Sequence, residues 1–398
     1  MRILLIHNSY NKFSGEEAVF DAQEALLKAG GNDVQTYTRS SSELKGMRMG
    51  HVQGFFTGLH NSRSVREIRQ LISRQSTVGS PPTIVHIHNL YPLISPAILP
   101  IIKSSLHHSI TPSPKIVMTV HNYRLICPNG LFFTHGEICE RCAGGKEWNC
   151  IRRNCEESVL KSTGYAMRNY WARKKRYYSD NVDAFLCLTG FQKTKLIENG
   201  FPERKCHVLP NFLPAQKKET IHSGQTFAFF AGRLNAQKGF DILAKAASLV
   251  PEIPFRVAGS SDPRYISTIP LSKNIVLTGR LPKEEMEQSF NHASFLVFTS
   301  KSYEGFPMVF LEAMAAGIPV IAPRMAGYPE IIEDGFNGLL FQPGDAGDLA
   351  KNIALLWNDP KLRTRLGENG RKKLESQYSP EMYYRKLMEI YDAVSRSK

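Results

Sequence analysis

The sequence contains no run of about 20 apolar residues, which is the length that a helix needs to cross a bilayer. It also lacks the start of a secretory leader. Residues 1–7 are apolar only briefly and are better explained as a first buried strand. These absences argue against a membrane-spanning or exported protein. We therefore expect a cytoplasmic location, which leaves peripheral association with the inner face of the plasma membrane open.

Acidic residues are scarce, since 36 Asp and Glu stand against 50 Lys and Arg and the formal charge is +14. Such an excess points to an anionic partner, which could be nucleic acid, an anionic membrane face or a negatively charged substrate. No nucleic-acid-binding motif occurs in the chain. The charge therefore favours a membrane surface over nucleic acid.

The basic residues gather in two segments of the N-terminal half. One runs from Arg168 to Tyr178 and interleaves Arg and Lys with Trp and Tyr, which suits the headgroup layer of an anionic bilayer. An ordinary solvated helix face is the alternative interpretation. The other segment has Phe55 and Phe56 among a set of cations: Arg39, Lys45, Arg48, Arg63, Arg66, Arg69 and Arg74.

A chain of 398 residues with 42% apolar content is long for one core and predicts two globular domains. We place the N-terminal domain at residues 1–210, with a Cys-rich insertion at 127–155. A polar, proline-bracketed linker follows at 211–222. The second domain covers 223–379, and an amphipathic helix occupies 380–398.

Short apolar runs alternate with helical patterns in both halves, which predicts α/β domains with parallel sheets. The predicted strands are residues 2–7, 34–38, 84–89, 115–120, 184–188, 207–209, 227–231, 255–258, 275–277, 295–298, 320–322 and 339–341. The predicted helices of the first half are residues 16–29, 64–73, 95–106, 159–178 and 191–199.

The central stretch is residues 302–317, which lie between two apolar strand candidates and predict a loop followed by a helix. Pro307 suits the first helical turn, and Gly317 suits the residue just past the helix end. The free N–H groups of that turn, around Met308 and Val309, form a natural seat for a phosphate.

Two glutamates flank this seat. Glu304 falls in the loop and Glu312 about two turns along the helix, so their separation along it is roughly 10 Å. They could each bind hydroxyls on opposite sides of a phosphate, and Gly305 lets a ligand approach the backbone. Two ordinary solvated glutamates are the alternative.

Arg233 and Lys238 follow the first strand of the second half and stand beside glycines. A guanidinium gives planar paired hydrogen bonds and an ammonium gives a point charge, which together suit a diphosphate. No Asp-x-Asp that would carry a divalent metal is evident. Isolated surface charges are the alternative interpretation.

Taken together, Arg233 with Lys238, Glu304 with Glu312 and the block at 326–330 resemble the motifs of retaining glycosyltransferases with the GT-B fold and the E-x7-E motif, of family 4 or group 1 type. The resemblance implies an α/β GT-B fold of two Rossmann-like domains facing across a deep cleft. It implies transfer of a sugar from a nucleoside diphosphate sugar to an acceptor hydroxyl, with retention at the anomeric carbon and no required cofactor.

The resemblance also implies roles for single residues. Glu304 would bind the donor sugar, Glu312 the ribose, and His121 the sugar or the leaving phosphate. Glu16 and Glu17 would face the acceptor, a saccharide or lipid-linked saccharide. The implied catalytic residues are Glu304, His121, Arg233 and Lys238. The implied donor-binding residues are Gly15, Arg233, Lys238, Leu281, Glu304, Gly305, Phe306, Met308, Val309 and Glu312.

Three blocks upstream, at 86–89, 92–96 and 127–130, look like those of a subgroup from bacterial surface-polysaccharide pathways, which assemble capsule, O-antigen or exopolysaccharide. Two other functions stay open. One is a sugar-nucleotide epimerase on the same fold, and the other is a basic nucleic-acid-binding protein with a degenerate transferase fold.

Cysteines cluster between residues 127 and 155. Cys139, Cys142, Cys150 and Cys155 have C-x2-C and C-x4-C spacing, which resembles a structural zinc knuckle with Cys127 as a spare. In a reducing compartment, such spacing indicates metal more than disulfides. Ordinary buried thiols are the alternative.

Overall fold

The computed structural model describes residues 1–10, 15–46, 57–78, 82–104, 113–214 and 227–396. The chain divides into two compact units. The N-terminal unit comprises Met1–Leu131, Glu140–Asn211 and Tyr383–Lys398, and the C-terminal unit comprises Phe132–Cys139 and Phe212–Met382. Most of the predicted linker, residues 215–222, lies outside the described residues.

The first eight strands supply one parallel sheet and one hairpin. They are β1 (Arg2–Ser9), β2 (Asp33–Ser40), β3 (Ile84–Asn89), β4 (Lys115–Val120), the antiparallel hairpin strands β5 (Phe133–Thr134) and β6 (Glu137–Ile138), β7 (Ala184–Cys187) and β8 (Cys206–Val208). The sheet of the N-terminal unit has the order β2-β1-β3-β4-β7-β8 and is parallel throughout. Strands β1 and β3 are buried almost throughout, as expected for a sheet covered on both faces.

Several helices of the described residues accompany this sheet. They are α1 (Gly15–Ala29), α2 (Ser62–Val78), α3 (Ile98–Ser104), α4 (Trp148–Arg152), α5 (Val159–Lys174), α6 (Tyr177–Asn181) and α7 (Gly190–Glu198), with 3-10 turns at Ser41–Gly46 and Glu203–Lys205. The single helix predicted at 159–178 is wrong. Arg176 has a φ of 52°, and a residue in the left-handed region cannot continue a right-handed helix.

The C-terminal unit repeats the plan with strands β9 (Ala228–Ala231), β10 (Phe255–Ala258), β11 (Ile275–Gly279), β12 (Phe295–Val297), β13 (Val320–Pro323) and β14 (Gly338–Phe341). Its sheet is also parallel and has the order β11-β10-β9-β12-β13-β14. Every predicted strand therefore exists in the structure with boundaries that agree within two residues, and the predicted α/β class with Rossmann-like parallel sheets is confirmed.

Helices cover the second sheet as well. They are α8 (Phe240–Ser248), α9 (Pro263–Ile266), α10 (Lys283–His292), α11 (Met308–Ala316), α12 (Tyr328–Ile331), α13 (Ala346–Asn358) and α14 (Pro360–Gln377). The core between sheet and helices is apolar, and Phe240, Phe255 and Phe341 are fully enclosed in it. Gly317 ends α11 with a φ of 71°, as the sequence predicts for the residue past that helix.

The last helix, α15 (Pro380–Arg396), contributes side chains to the N-terminal unit. The Tyr391 hydroxyl is hydrogen-bonded to His86 Nδ1 at 2.5 Å, and Tyr384 donates to the carbonyl of Gly30 at 3.1 Å. Tyr383 donates to Gln23, which lies on α1. Within the described ranges, no helix is both long enough and apolar enough to cross a bilayer.

Candidate functional site

The strand order of the C-terminal sheet defines where a ligand can bind. From β9 the chain builds outward to β10 and β11, and from β12 it builds to the other edge through β13 and β14. In open parallel sheets, ligands bind beyond the carboxyl ends of the strands at the point where the order reverses. That point lies between β9 and β12. The loop after β9 carries Arg233 and Lys238, and the loop after β12 carries Glu304.

Lys238 and Glu304 are in direct contact. The Lys238 ammonium donates to both carboxylate oxygens of Glu304, each at 2.8 Å. Both side chains are mostly buried, with 20% and 16% of their surface exposed. An ion pair in such surroundings is screened less by water than a surface pair. The structure therefore brings two of the predicted site residues together.

The backbone around Lys238 is fixed by several contacts. Its N–H donates to Asn235 Oδ1 and its carbonyl accepts from Thr299 Oγ1, both at 2.9 Å. Gly239 follows with a φ of 67°, and a Cβ there would lie only 2.0 Å from the Thr299 carbonyl oxygen. Only glycine fits this close approach of the two loops, which explains why a glycine follows the lysine.

Glu304 is held by a residue to which the sequence analysis gave no role. The fully buried Tyr328 hydroxyl donates to the Ser302 carbonyl at 2.6 Å and accepts from the Glu304 N–H at 3.2 Å. Tyr328 opens α12 and so ties the glutamate loop to the next crossover of the sheet. The Ala-Gly-Tyr-Pro-Glu block was recognised as a motif, but its spacing alone does not show that the tyrosine reaches back to the loop.

Arg233 is exposed and contacts Gln237, the residue that precedes Lys238 in the chain. Its guanidinium contacts Gln237 Oε1 at 3.5 Å, and Gln237 Nε2 donates to Ser302 Oγ at 3.1 Å. The two cations and one carboxylate leave one net positive charge at the ends of β9 and β12. Such a charge suits an anionic ligand.

Helix α11 starts beside Glu304 and points its first turn toward the loop. The helix begins at Met308, and Pro307 is the N-cap residue, so the prediction that Pro307 lies inside the first turn is wrong by one position. Proline has no side-chain oxygen, and no side chain in the described part of the chain caps this helix. The N–H groups of Met308 and Val309 therefore remain available in the way the phosphate prediction requires.

Phe306 and Gly305 precede the helix and are buried. The Phe306 ring packs edge-on against Tyr378 with centroids 5.7 Å apart, within the C-terminal unit. Its side chain is therefore engaged in packing within the C-terminal unit, and its part in donor binding stays a prediction.

Glu312 lies on α11 and is partly buried. Burial, with a smaller contribution from the nearby Glu287 carboxylate, raises the pKa of Glu312 to about 7. Near neutral pH this carboxyl thus exchanges between an acid and a carboxylate. Leu281 lies in the loop between β11 and α10, at the edge of the same sheet, where its side chain is partly exposed.

The N-terminal sheet has a reversal point of its own, between β1 and β3. Gly15 opens α1 there, and Glu16 and Glu17 follow in its first turn. Burial is the main cause that raises the pKa of Glu16 to about 8. Its Oε1 lies 4.0 Å from Nδ1 of His7, whose pKa burial lowers to about 4. Both groups are therefore largely neutral at pH 7.

His121 directly follows β4, as predicted, and it belongs to a row of histidines. His88 Nδ1 lies 2.9 Å from His121 Nε2, and the two rings stack with centroids 5.1 Å apart. Burial, and then the nearby His7, lowers the pKa of His121 to about 3, so the ring is neutral at pH 7. The sequence analysis missed His7 and His88. Their positions near the carboxyl ends of adjacent strands were the signal that could have found them.

Two of the predicted surface cations are structural instead. Arg39 is buried and binds the Glu43 carboxylate through Nε and Nη2, at 2.8 and 2.7 Å. Arg168 is buried beneath Tyr91, with its guanidinium carbon 4.0 Å from the ring centroid. An arginine is buried where such partners replace its water. For five residues of the basic segment that contains Arg39, the outcome lies outside the described residues or side chains: Lys45, Arg48, Phe55, Phe56 and Arg74.

Three of the cysteines, Cys142, Cys150 and Cys155, pack together in an apolar cluster. Cys142 and Cys150 are buried with Ala166, and Cys155 lies against them. A hydrogen bond with Cys155, together with burial, raises the pKa of Cys150 above its usual range. Nowhere in the described ranges do three or more His, Cys, Asp or Glu side chains form a metal-holding group. Zinc on Cys139, Cys142, Cys150 and Cys155 stays a prediction, which elemental analysis of protein purified without added metal would test.

The two Rossmann-like sheets and the polar residues at their reversal points define the GT-B class of glycosyltransferases. The chain belongs to glycosyltransferase family 4, whose family model matches residues 16–217. The model described as glycosyl transferases group 1 matches residues 213–373. The two matched segments together include every site residue named above except Gly15 and His7.

Curated relatives are similar over part of their length. An uncharacterized glycosyltransferase of Methanocaldococcus jannaschii is 33% identical over 225 residues, which are 55% of this chain and 62% of that protein. The lipopolysaccharide core biosynthesis glycosyltransferase LpsE of Rhizobium meliloti is 28% identical over 214 residues, or 51% of this chain and 62% of that protein. The chain thus spans less than two thirds of the length of either relative.

Solved structures match the fold over nearly the whole chain. HepE of Anabaena, in complex with UDP and glucose, has a TM-score of 0.66 at 16% identity and covers 99% of this chain and 100% of its own. Sucrose-phosphate synthase of Thermosynechococcus elongatus has a TM-score of 0.69 at 17% identity, with coverage of 99% and 98%. At these identities the likeness shows the fold alone.

Proposed function

We propose that the protein is a retaining glycosyltransferase that moves a sugar from a nucleoside diphosphate sugar to an acceptor hydroxyl. The observation that carries the proposal is the Lys238–Glu304 pair, which lies at the reversal point of the C-terminal sheet beside the uncapped start of α11. This arrangement offers cations and amides for a diphosphate, with a carboxylate next to them for sugar hydroxyls.

The cations and the helix start would stabilise the leaving group. As the bond between the sugar and the diphosphate breaks, negative charge grows on the diphosphate, and Arg233, Lys238 and the amides around Met308 would stabilise it. Lys238 and Arg233 supply positive charge from side chains, so we propose that the reaction needs no divalent metal. Glu304 orients the sugar and Glu312 binds the ribose.

The bond changes balance without a protein base. The bond between the anomeric carbon and the diphosphate oxygen breaks, and a bond to the acceptor oxygen forms on the same face of the sugar. The acceptor proton passes to the leaving phosphate oxygen, which gives a glycoside and a nucleoside diphosphate. His121, neutral at pH 7, donates or accepts a hydrogen bond at the sugar and does not carry a charge.

We propose a role in bacterial surface-polysaccharide assembly, with a saccharide or lipid-linked saccharide as the acceptor. LpsE is named for lipopolysaccharide core biosynthesis. Three HepE structures, with UDP and glucose, with UDP and with UDP-glucose, make uridine diphosphate sugars the first donors to test. These relatives support the substrate class and leave the particular sugar to experiment.

The experiment is a donor screen followed by a transfer assay. Nucleotide sugars are first ranked by the rise in melting temperature that they cause, and the best donor is then incubated with lipid-linked acceptors, with and without EDTA. We expect an EDTA-resistant product with the donor's anomeric configuration by NMR. Glu304→Ala should lose transfer while keeping its circular dichroism. An inverted product would overturn retention, and an epimerised nucleotide sugar formed without acceptor would favour the epimerase alternative.

A further inference from the structure

Helix α5 turns its apolar side toward solvent. Its most exposed large apolar side chains are Leu160 at 71%, Val159 at 63% and Met167 at 46%, and Tyr170 and Trp171 are also exposed. In a globular protein the apolar stripe of a helix normally faces the core. Five exposed large apolar or aromatic side chains on a helix of 16 residues therefore indicate a surface made for contact.

These side chains lie on one face. With about 100° between successive residues, they fall within an arc of roughly 120°, which we name the outward face of α5. It comprises Val159, Leu160, Thr163, Met167, Tyr170, Trp171 and Lys174. The buried residues of the helix all lie outside this arc: Ser162, Gly164, Ala166, Arg168, Asn169 and Ala172.

The orientation of the helix is fixed by its polar side. The buried Arg168 lies between the rings of Tyr91 and Tyr165, 4.0 and 4.5 Å from their centroids, and donates to the Pro128 carbonyl at 3.1 Å. Asn169 donates to the Arg124 carbonyl at 2.6 Å. Rotating the helix to bury its apolar side would leave these polar groups without partners, at a high cost in free energy. The outward face is thus a built feature of the fold.

The end of this face is basic and aromatic. Lys174, Lys175 and Arg176 are exposed at the C-terminus of α5. The Lys175 ammonium lies 5.1 Å from the Trp171 ring centroid, and the Lys174 ammonium 5.7 Å from that of Tyr170. Trp and Tyr with Lys are the residues that settle at the boundary between headgroups and acyl chains, where the rings enter and the ammonium groups stay with phosphate.

We propose that the outward face of α5 docks the protein on an anionic lipid bilayer. Two partners could cover this apolar face, a second copy of the chain or a lipid bilayer, and the charge of the protein distinguishes them. A second copy of the chain would bring its own formal charge of +14, whereas an anionic membrane attracts both the local lysines and the chain as a whole. The proposal goes beyond sugar transfer and would stand even if the donor proposal failed.

Vesicle flotation tests the surface directly. Wild-type protein is mixed at low salt with vesicles of phosphatidylcholine alone or with phosphatidylglycerol added. The variant Leu160→Ser/Met167→Ser/Trp171→Ser removes the apolar contacts. The matched control Leu249→Ser/Val276→Ser/Leu355→Ser removes similarly exposed side chains from the C-terminal unit. Melting temperatures confirm that each variant is folded.

We expect wild type and control to float with the anionic vesicles. The partition coefficient of the α5 variant should be lower by a factor on the order of ten or more. Lys174→Gln and Lys175→Gln should each weaken binding by roughly fivefold, with the loss shrinking as salt is added. In a Trp148→Phe/Trp357→Phe protein, emission of the remaining Trp171 should shift to the blue on binding.

Three outcomes would overturn the proposal. The first is wild type that does not float at low salt, and the second is an α5 variant that floats as well as the control. The third is a concentration-dependent dimer in analytical ultracentrifugation that the α5 substitutions abolish while vesicle binding stays unchanged. That result would assign the outward face to a second copy of the chain.

Discussion

The Lys238 ammonium binds both oxygens of the Glu304 carboxylate, although the two residues stand 66 positions apart in the chain. The sequence analysis gave them separate tasks, the lysine at a phosphate and the glutamate at the sugar. Their contact couples those tasks, because a carboxylate that orients the ammonium also neutralises part of its charge. A ligand phosphate must therefore compete with, or add to, an existing acceptor on Lys238.

This coupling predicts opposite effects on nucleotide binding. Lys238→Met removes a charge-assisted contact to phosphate and should weaken UDP binding by about 10- to 100-fold. Glu304→Gln frees the ammonium, so UDP should bind at least as tightly as to wild type, while transfer falls by about 100-fold because the sugar is misplaced. Isothermal titration and initial rates measure the two effects. If Glu304→Gln lost UDP affinity as severely as Lys238→Met, the division of roles would be wrong.

The raised pKa of Glu312, about 7, predicts pH-dependent donor binding. The group is an acid below this value and a carboxylate above it, and a carboxylate accepts ribose hydroxyls more strongly. Affinity for a UDP-sugar, whose phosphates do not titrate near neutrality, should thus rise between about pH 6 and 8. In Glu312→Gln the affinity should be lower and flat with pH. Glu287→Gln, which removes the neighbouring carboxylate, should move the midpoint to lower pH, and an unmoved wild-type affinity across this range would contradict the assignment.

The sheet strands were predictable because buried parallel strands are short continuous apolar runs, which local sequence displays directly. Strand β10 shows this, since Phe255–Ala258 was predicted to the residue. The end of α11 was also predictable from local sequence, because Gly317 takes a backbone conformation that favours glycine. Where the chain itself encodes the geometry, the prediction held.

Contacts between distant segments could not be predicted in the same way. The Tyr328 hydroxyl reaches Ser302 across 26 positions, and His88 reaches His121 across 33. No periodicity reports such pairings, because they depend on how neighbouring strand ends are brought together. The burial of Arg39 and Arg168 has the same origin: basic residues in a row suggest a solvated face, but the tertiary fold supplies acceptors and rings that enclose them.

The contact between His88 and His121 predicts which ring nitrogen of His121 carries the proton. Both rings are neutral at pH 7 because burial lowers the pKa of each, so one proton bridges His88 Nδ1 and His121 Nε2. Within the described residues, His88 Nε2 is buried and has no partner. A buried N–H without an acceptor is costly, which places the His88 proton on Nδ1 and that of His121 on Nδ1.

Nitrogen-15 shifts of labelled histidine measure this arrangement. We expect His121 as the Nδ1–H tautomer in wild type and in His88→Asn, whose amide can still donate from the same position. His88→Leu should mix the tautomers and slow transfer about tenfold, the loss of roughly one hydrogen bond. A wild-type His121 protonated at Nε2 would contradict the argument, whatever the rates show.

The buried carboxyl of Glu16 predicts how stability changes with pH. Its pKa is about 8 in the folded protein and 4.5 by default, so between these values the folded state keeps a proton that the unfolded state has released. Stability contributed by this group is therefore present below about pH 4.5 and is lost as pH rises toward 8. His7 has the opposite effect on stability, and at lower pH. Burial lowers its pKa from 6.5 to about 4, so its contribution to stability is lost on acidification.

The variant Glu16→Gln has no titrating group at this position. Relative to wild type it should gain more than about 1 kcal/mol between pH 5 and 8, as followed by melting temperature and urea unfolding. The exposed Glu375→Gln is the control, and a Glu16→Gln difference that stays as flat with pH as the control would show that the carboxyl is not held neutral in the fold.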